Sequence, residues 1–222
     1  NSGNTDWNSN YYTVQHSRLF GEEGNDNLKV TFYGDGERYL GGKTNLDQTG
    51  LLDGGSGNDY LQTYSYYSGN SYYGNSSITS NGGDGDDDIY AWHGYTYSGG
   101  IANINVSGGN DNDKVHVATS STYAGGVANI NVDGGTGTDT INVTGHNSQG
   151  NTNINVGGGS GADTINVTES SAGKVNQNTS DYAFRNVVID AGADDDTITV
   201  QGSINTSITT GSGSDTIRLT AH

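Results

Sequence analysis

Eight aspartates, Asp26, Asp59, Asp87, Asp113, Asp139, Asp163, Asp196 and Asp215, each close a turn, and an aliphatic residue follows each of them two positions later. The clearest turns read Gly54-Gly55-Ser56-Gly57-Asn58-Asp59, Gly82-Gly83-Asp84-Gly85-Asp86-Asp87, Gly108-Gly109-Asn110-Asp111-Asn112-Asp113, Gly134-Gly135-Thr136-Gly137-Thr138-Asp139 and Gly158-Gly159-Ser160-Gly161-Ala162-Asp163. Weaker copies run from Gly21 to Leu28, Ala191 to Ile198 and Thr210 to Ile217. Two chemistries suit such an aspartate. It can hydrogen-bond its own backbone as an Asx turn with no metal, or it can ligate a cation. Register favours the cation, because carboxylates stacked about 5 Å apart repel unless positive charge sits between them.

The elements that must hold these carboxylates follow from the spacing. Successive aspartates are separated by 33, 28, 26, 26, 24, 33 and 19 residues. The shortest step accommodates two strands and two tight turns. Alternating strings such as Ile104-Asn105-Val106, Val115-His116-Val117 and Ile141-Asn142-Val143 are strand signals bounded by glycine turns. No segment of useful length has a helical period. Each repeat is therefore predicted to be a coil of turn, strand, variable loop and strand. The variable loops, Trp92 to Gly100 and Ala118 to Gly126 among them, stack on the edge opposite the aspartates. Ile104, Val106, Val115 and Val117 point inward, and their counterparts in later coils do the same. Such a core is thin. At roughly 1.5–3 kcal/mol per buried aliphatic side chain, one coil does not offset the ordering of its own residues, so metal is expected to supply the remainder.

Composition narrows the function classes. There are 25 acidic against 8 basic residues and a net charge of −17, which argues against nucleic acid and anionic membrane as partners and favours cations. Without cysteine, no disulfide can reinforce the core. No stretch is long and apolar enough to span a bilayer. The chain opens at Asn1 without a basic-then-apolar leader, as expected of a mature product or of a piece of a longer protein. Residues 1–18 are expected to form a cap or edge segment, and residues 19–222 the repeats.

The repeat resembles the glycine- and aspartate-rich nonapeptide of the RTX family, Gly-Gly-x-Gly-x-Asp-x-aliphatic-x, over about residues 19 to 222. The resemblance implies an all-β, elongated, right-handed parallel β-roll or β-helix solenoid of about eight coils. It also implies several calcium ions stacked along one edge, bound by the eight aspartates together with backbone carbonyls of the turns. Those turns contain Gly55, Gly57, Gly83, Gly85, Gly109, Gly135, Gly137, Gly159 and Gly161. Glycine suits the role because converging carbonyls need φ > 0, and calcium accepts six to eight oxygens from mixed carbonyl and carboxylate shells. Some positions depart from the motif. Glu22 replaces the second glycine before Asp26, and Asp111 and Asp194 replace the third, each exchanging a carbonyl geometry for an added carboxylate. Asp215 has no turn after it and ligates from one side. Family rolls carry the motif on both edges, whereas here it occupies one.

Nine of the 15 tyrosines fall between Tyr60 and Tyr97, beside Trp92 and His93. Tyr64, Tyr66, Tyr67, Tyr72, Tyr73, Tyr95 and Tyr97 are candidate partner-binding residues on the loop edge, suited to surface glycans or to copies of the chain itself. The competing role is local packing of rings over the roll. Outward Asn103, Asn129 and Asn153, with Asn105, Asn131 and Asn155, are expected to form hydrogen-bonded ladders. No metalloprotease His-Glu-x-x-His and no Gly-x-Ser-x-Gly elbow occurs, and the acidic pairs lie in calcium-type turns, so no catalytic residue is assigned. The expected function is a calcium-folded, non-catalytic structural roll of an extracellular or cell-surface protein of adhesin, S-layer or matrix type. Family resemblance implies type I secretion. The alternatives are a folding and secretion module of a secreted protease, lipase or epimerase, and an ice-binding roll. Thr140, Thr164, Thr197 and Thr216 form a column that would serve ice binding, but Lys114 interrupts it.

Overall fold

A computed structural model describes residues 11–35, 44–68, 75–96, 99–122, 125–146, 150–170, 185–202 and 205–220. These residues contain strands and no helix, arranged as two eight-stranded parallel sheets. Sheet A consists of β1 (Tyr11–Phe20), β3 (Thr44–Ser56), β5 (Asn75–Asp84), β7 (Ile101–Asn110), β9 (Val127–Thr136), β11 (Asn151–Ser160), β13 (Arg185–Ala193) and β15 (Asn205–Thr209). Sheet B consists of β2 (Asn27–Asp35), β4 (Tyr60–Ser68), β6 (Asp88–Thr96), β8 (Lys114–Thr122), β10 (Thr140–His146), β12 (Thr164–Ser170), β14 (Thr197–Gln201) and β16 (Thr216–Thr220). Consecutive strands alternate between the sheets, so each pair is one coil. Eight coils stack into the parallel β-solenoid that the spacing predicts. No helix among the described residues is long and apolar enough to cross a membrane.

Period-2 alternation puts the expected aliphatics inside. Ile104, Val106, Val115 and Val117 are at most 4 % exposed, and Ile130, Val132, Ile141, Val143, Ile154, Val156, Ile165 and Val167 repeat them in register. One continuous core runs between the sheets from Val30 to Val200. Outside sheet A the asparagine ladders form as expected. Asn129 Nδ2 donates to Asn103 Oδ1 at 2.9 Å and Asn131 Nδ2 to Asn105 Oδ1 at 2.9 Å, and the first ladder continues through Asn153, Asn186 and Asn205.

Three features differ from the sequence reading. Among the described residues, β1 registers with β3 from Tyr11 to Phe20, so the roll reaches well into residues 1–18. The stretches read as loops, Trp92 to Gly100 and Ala118 to Gly126, are largely strand, because β6 continues to Thr96 and β8 to Thr122. Inward Thr119 and Thr122 are buried, and threonine suits a half-buried strand as well as valine does. Finally, Tyr64, Tyr66 and Tyr90 lie on the outer face of sheet B, not on the loop edge. Tyr64 and Tyr66 of β4 and Tyr90 and Trp92 of β6 alternate outward with buried Thr63, Ser65, Ile89 and Ala91. Their rings contact one another: Tyr90 stacks on His116 with centroids 4.9 Å apart, while Tyr66 meets Trp92 at 4.6 Å and Tyr64 meets Tyr90 at 5.4 Å in tilted pairs. Tyr95 of β6 is exposed. Tyr67 lies in β4, opposite Gly34 of β2; Tyr72, Tyr73 and Tyr97 lie outside the described residues.

Candidate metal centre

Each aspartate sits two residues before an inward aliphatic, so strand periodicity turns its carboxylate into the roll. Asp59, Asp87, Asp113, Asp139, Asp163 and Asp196 are 1–3 % exposed. A ladder joins them from coil to coil. The Asp26 N–H donates to Asp59 Oδ1 at 2.7 Å, Asp59 N–H to Asp87 Oδ1 at 2.7 Å and Asp87 N–H to Asp113 Oδ1 at 2.8 Å. Asp113 and Asp139 donate likewise to Asp139 and Asp163 at 2.8 Å, Asp163 to Asp196 at 2.9 Å and Asp196 to Asp215 at 3.1 Å. These bonds link neighbouring coils, so the aspartates are not simple Asx turns closed on their own coil. A second ladder of opposite sense runs one residue earlier in the turns: Asn58, Asp86, Asn112 and Thr138 N–H groups each donate to the side chain of the coil before.

The first ladder uses one oxygen of each carboxylate. The other, Oδ2 of Asp26, Asp59, Asp87, Asp113, Asp139, Asp163 and Asp196, is buried and has no hydrogen-bond partner. A buried charged oxygen left unmatched is costly, and here it recurs in seven successive coils.

The first glycine of each turn makes room for that oxygen. A Cβ on Gly54, Gly82, Gly108 or Gly134 would collide with Oδ2 of the aspartate five residues on and with the carbonyl of the first glycine in the next coil. At Gly158 it would collide with the Ala191 carbonyl and stand 2.6 Å from Asp163 Oδ2. Carboxylate and carbonyl oxygens thus converge on one spot per coil. Sequence reading assigned the second and third glycines and passed over this first column, although the doubled Gly-Gly was its signal. The second and third glycines do take positive φ, from 99° at Gly55 to 121° at Gly137. A Cβ there would strike a carbonyl of the preceding coil: that of Gly55 at Gly83, Gly57 at Gly85, Gly83 at Gly109, Gly109 at Gly135, Asp111 at Gly137, Gly135 at Gly159 and Gly137 at Gly161. Glu22, Asp111 and Asp194 accept the same backbone region at φ of 79°, 75° and 80°. The Asp111 and Asp194 side chains remain exposed, outside the buried column, and Gly161 N–H donates to Asp194 Oδ2 at 3.2 Å. In the last two coils Ala191 and Thr210 replace the first glycine.

Burial pushes the Asp87, Asp113 and Asp163 carboxyls up to about 6, 7 and 6, with neighbouring carboxylates adding to it and the backbone donors opposing it. Asp139 and Asp196 shift the same way, again chiefly through burial. A column in this state takes up either protons or a cation. No group of three or more His, Cys, Asp or Glu side chains converges among the described residues. Any metal here would therefore draw on one or two carboxylates with backbone carbonyls, the mixed oxygen shell that calcium accepts.

The interior at the opposite edge is polar too, but irregular. His93 is 1 % exposed, its Nε2 lies 3.1 Å from Thr96 Oγ1, and burial lowers its pKa to about 4. Glu169 is 2 % exposed, neither of its carboxylate oxygens has a hydrogen-bond partner, and burial raises it to about 7 against the pull of Arg185. No protein-family model, curated protein or solved structure matches this chain.

Proposed function

We propose that the chain is a calcium-folded structural β-roll, non-catalytic, of an extracellular or cell-surface protein of adhesin, S-layer or matrix type. One observation carries the reading: the interior column is aspartate in every coil, at a position where a metal-free roll would be better served by asparagine. Asparagine would keep the Oδ1 acceptor for the neighbouring N–H. Its amide would replace the orphaned Oδ2 with a donor close to the next coil's carbonyl, and no charge would be buried. The chain uses asparagine freely for its outer ladders, so the uniform choice of a charged acceptor inside points to a cation. Asp59, Asp87, Asp113, Asp139 and Asp163, each with a glycine at the first turn position, would hold calcium best. The Ala191 methyl makes the Asp196 level poorer, and Asp26 and Asp215 complete the ends. Calcium would neutralise the stacked carboxylates and tie successive turns together. Binding free energy then becomes folding free energy, in keeping with a protein that folds on reaching calcium-rich surroundings outside the cell.

Asp139→Asn tests this with little change of shape. In calcium the variant is expected to lose about 2–4 kcal/mol of stability and to need more calcium to fold. In chelator it should be no less stable than the parent. A variant equally or more stable in calcium would leave a metal-free hydrogen-bond ladder as the explanation.

A further inference from the structure

A groove of about 410 Å³ crosses the outer face of sheet A from β5 to β13, parallel to the solenoid axis. One rim is the ladder of Asn105, Asn131 and Asn155, and the other carries Asp133, Gly157 and Asp190. Between the rims the surface is almost wholly apolar, because the strand N–H and C=O groups there are spent on the sheet.

Three properties restrict what the groove can hold. The first is its step. Rim groups recur once per coil, about every 4.8 Å, and each ladder amide has a second N–H and a second acceptor site beyond its ladder bond. An extended peptide advances about 3.3 Å per residue and drifts out of register with that step. Linked pyranose rings advance by nearly one coil per ring, with an apolar C–H face for the floor and hydroxyls at their edges for the rims. The second property is charge. The outward residues of β3 through β15 include Asp47, Asp53, Asp133 and Asp190 and no lysine, arginine or histidine, which selects against an anionic chain and for a cationic one. The third is the placing of the acids. Asp133 and Asp190 stand on one rim two coils apart, about 9.6 Å, with the bare Gly157 between them. In a flat ribbon of β-linked glucosamine successive rings are turned over, so amines on one edge recur at every second ring.

We propose that this groove binds a β-linked glucosamine chain laid along the solenoid axis. Its ring faces rest on the floor, the ammonium groups of alternate rings meet Asp133 and Asp190, and the opposite edge lies against Asn105, Asn131 and Asn155. The proposal rests on the solenoid and not on the metal reading.

Isothermal titration calorimetry of the calcium-saturated 222-residue chain with a glucosamine hexamer tests it, at mildly acidic pH where amines and rim carboxylates are both charged. Binding is expected, and cellohexaose, the same ribbon without amines, should bind about three- to tenfold more weakly. Asp133→Asn combined with Asp190→Asn, both at exposed positions, should weaken the hexamer by a similar factor with the circular dichroism spectrum unchanged. Gly157→Gln fills the groove and keeps the charge. Gly157 has no positive φ, and the nearest atom an added Cβ would meet is Asp133 Oδ1 at 3.2 Å, the end of a flexible side chain. That variant should fold as the parent does and bind the hexamer about tenfold or more weakly, which separates the groove from the general attraction of a chain of net charge −17 for cations. Absence of hexamer binding overturns the proposal, as does cellohexaose or a lysine oligomer that binds as tightly, or a hexamer affinity unchanged in both variants. Each of those results leaves calcium-linked folding untouched. Loss of strand signal in chelator bears only on the calcium reading.

Discussion

At the aspartate edge, the second to sixth coils place the same groups at the same depth: a bare glycine, a carboxylate and the next coil's carbonyl. At the opposite edge, between the same two sheets, the pair of facing inward residues differs from coil to coil. Sheet B runs Phe32, Ser65, His93 and Thr119, and then Gly145 and Glu169. Sheet A runs Gln48, Ser76, Ala102, Ala128, Thr152 and Arg185. Here contacts are settled pair by pair. The Phe32 ring lies against Gly50, Ser65 Oγ donates to Gln48 Oε1, and the Glu169 carboxylate folds over Gly145. Packing that satisfies one neighbour at a time tolerates any residues whose sizes and polarities compensate. Strict repetition is needed only where each group serves the coil before and the coil after at once. The aspartate column does so through its ladder, and a shared cation between turns would demand the same.

The comparison breaks most sharply at two glycines. Gly135 has φ 108°, and a Cβ there would overlap the Gly109 carbonyl, which is backbone and cannot yield. Gly135→Ala is expected to cost about 3–5 kcal/mol in thermal or denaturant unfolding, combining backbone strain with overpacking. A Cβ on Gly145 would meet only the end of the flexible Glu169 side chain. Gly145→Ala should therefore cost no more than about 1 kcal/mol. Equal losses would remove the distinction between the edges.

Glu169 gives the next effect. Its pKa is raised on folding to about 7, so the native state holds a proton that the unfolded chain releases above the ordinary glutamate range. The associated stability is complete at acid pH and is lost as pH rises from about 4.5 to about 7. Glu169→Gln in saturating calcium should match the parent at pH 4 and exceed it by about 2–3 kcal/mol at pH 8, read by denaturant titration. A variant less stable at pH 8 would mean that attraction to Arg185 outweighs burial. The smallest effect belongs to the outer face. Asn131→Ala removes solvent-facing amide bonds to Asn105 and Asn155 and should cost roughly 0.5–1 kcal/mol.

Solenoid, register and inward aliphatics were legible because glycine turns and strand alternation are local patterns, and eight copies align them. The aspartates could be placed inside by counting two residues back from Leu61 or Ile141. Three things were hidden. The extent of β8 was hidden because Thr119 and Thr122 are polar by composition yet buried by position. The role of Gly54, Gly82, Gly108, Gly134 and Gly158 depends on a carbonyl one coil away, which no local window contains. The place of Tyr64 and Tyr66 in β4 was hidden because the polar residues around them mask how far the strand runs, although the two alternate outward.

Calcium titration of the apo chain, followed by far-ultraviolet circular dichroism and paired with the same titration of Asp139→Asn, tests the central claim most directly. The account predicts that excess chelator removes most of the strand signal, that calcium at about 0.1–1 mM restores it cooperatively, and that the variant's midpoint moves to higher calcium. A strand spectrum that persists in chelator after prolonged dialysis, with the parent and variant curves superimposed, would contradict it.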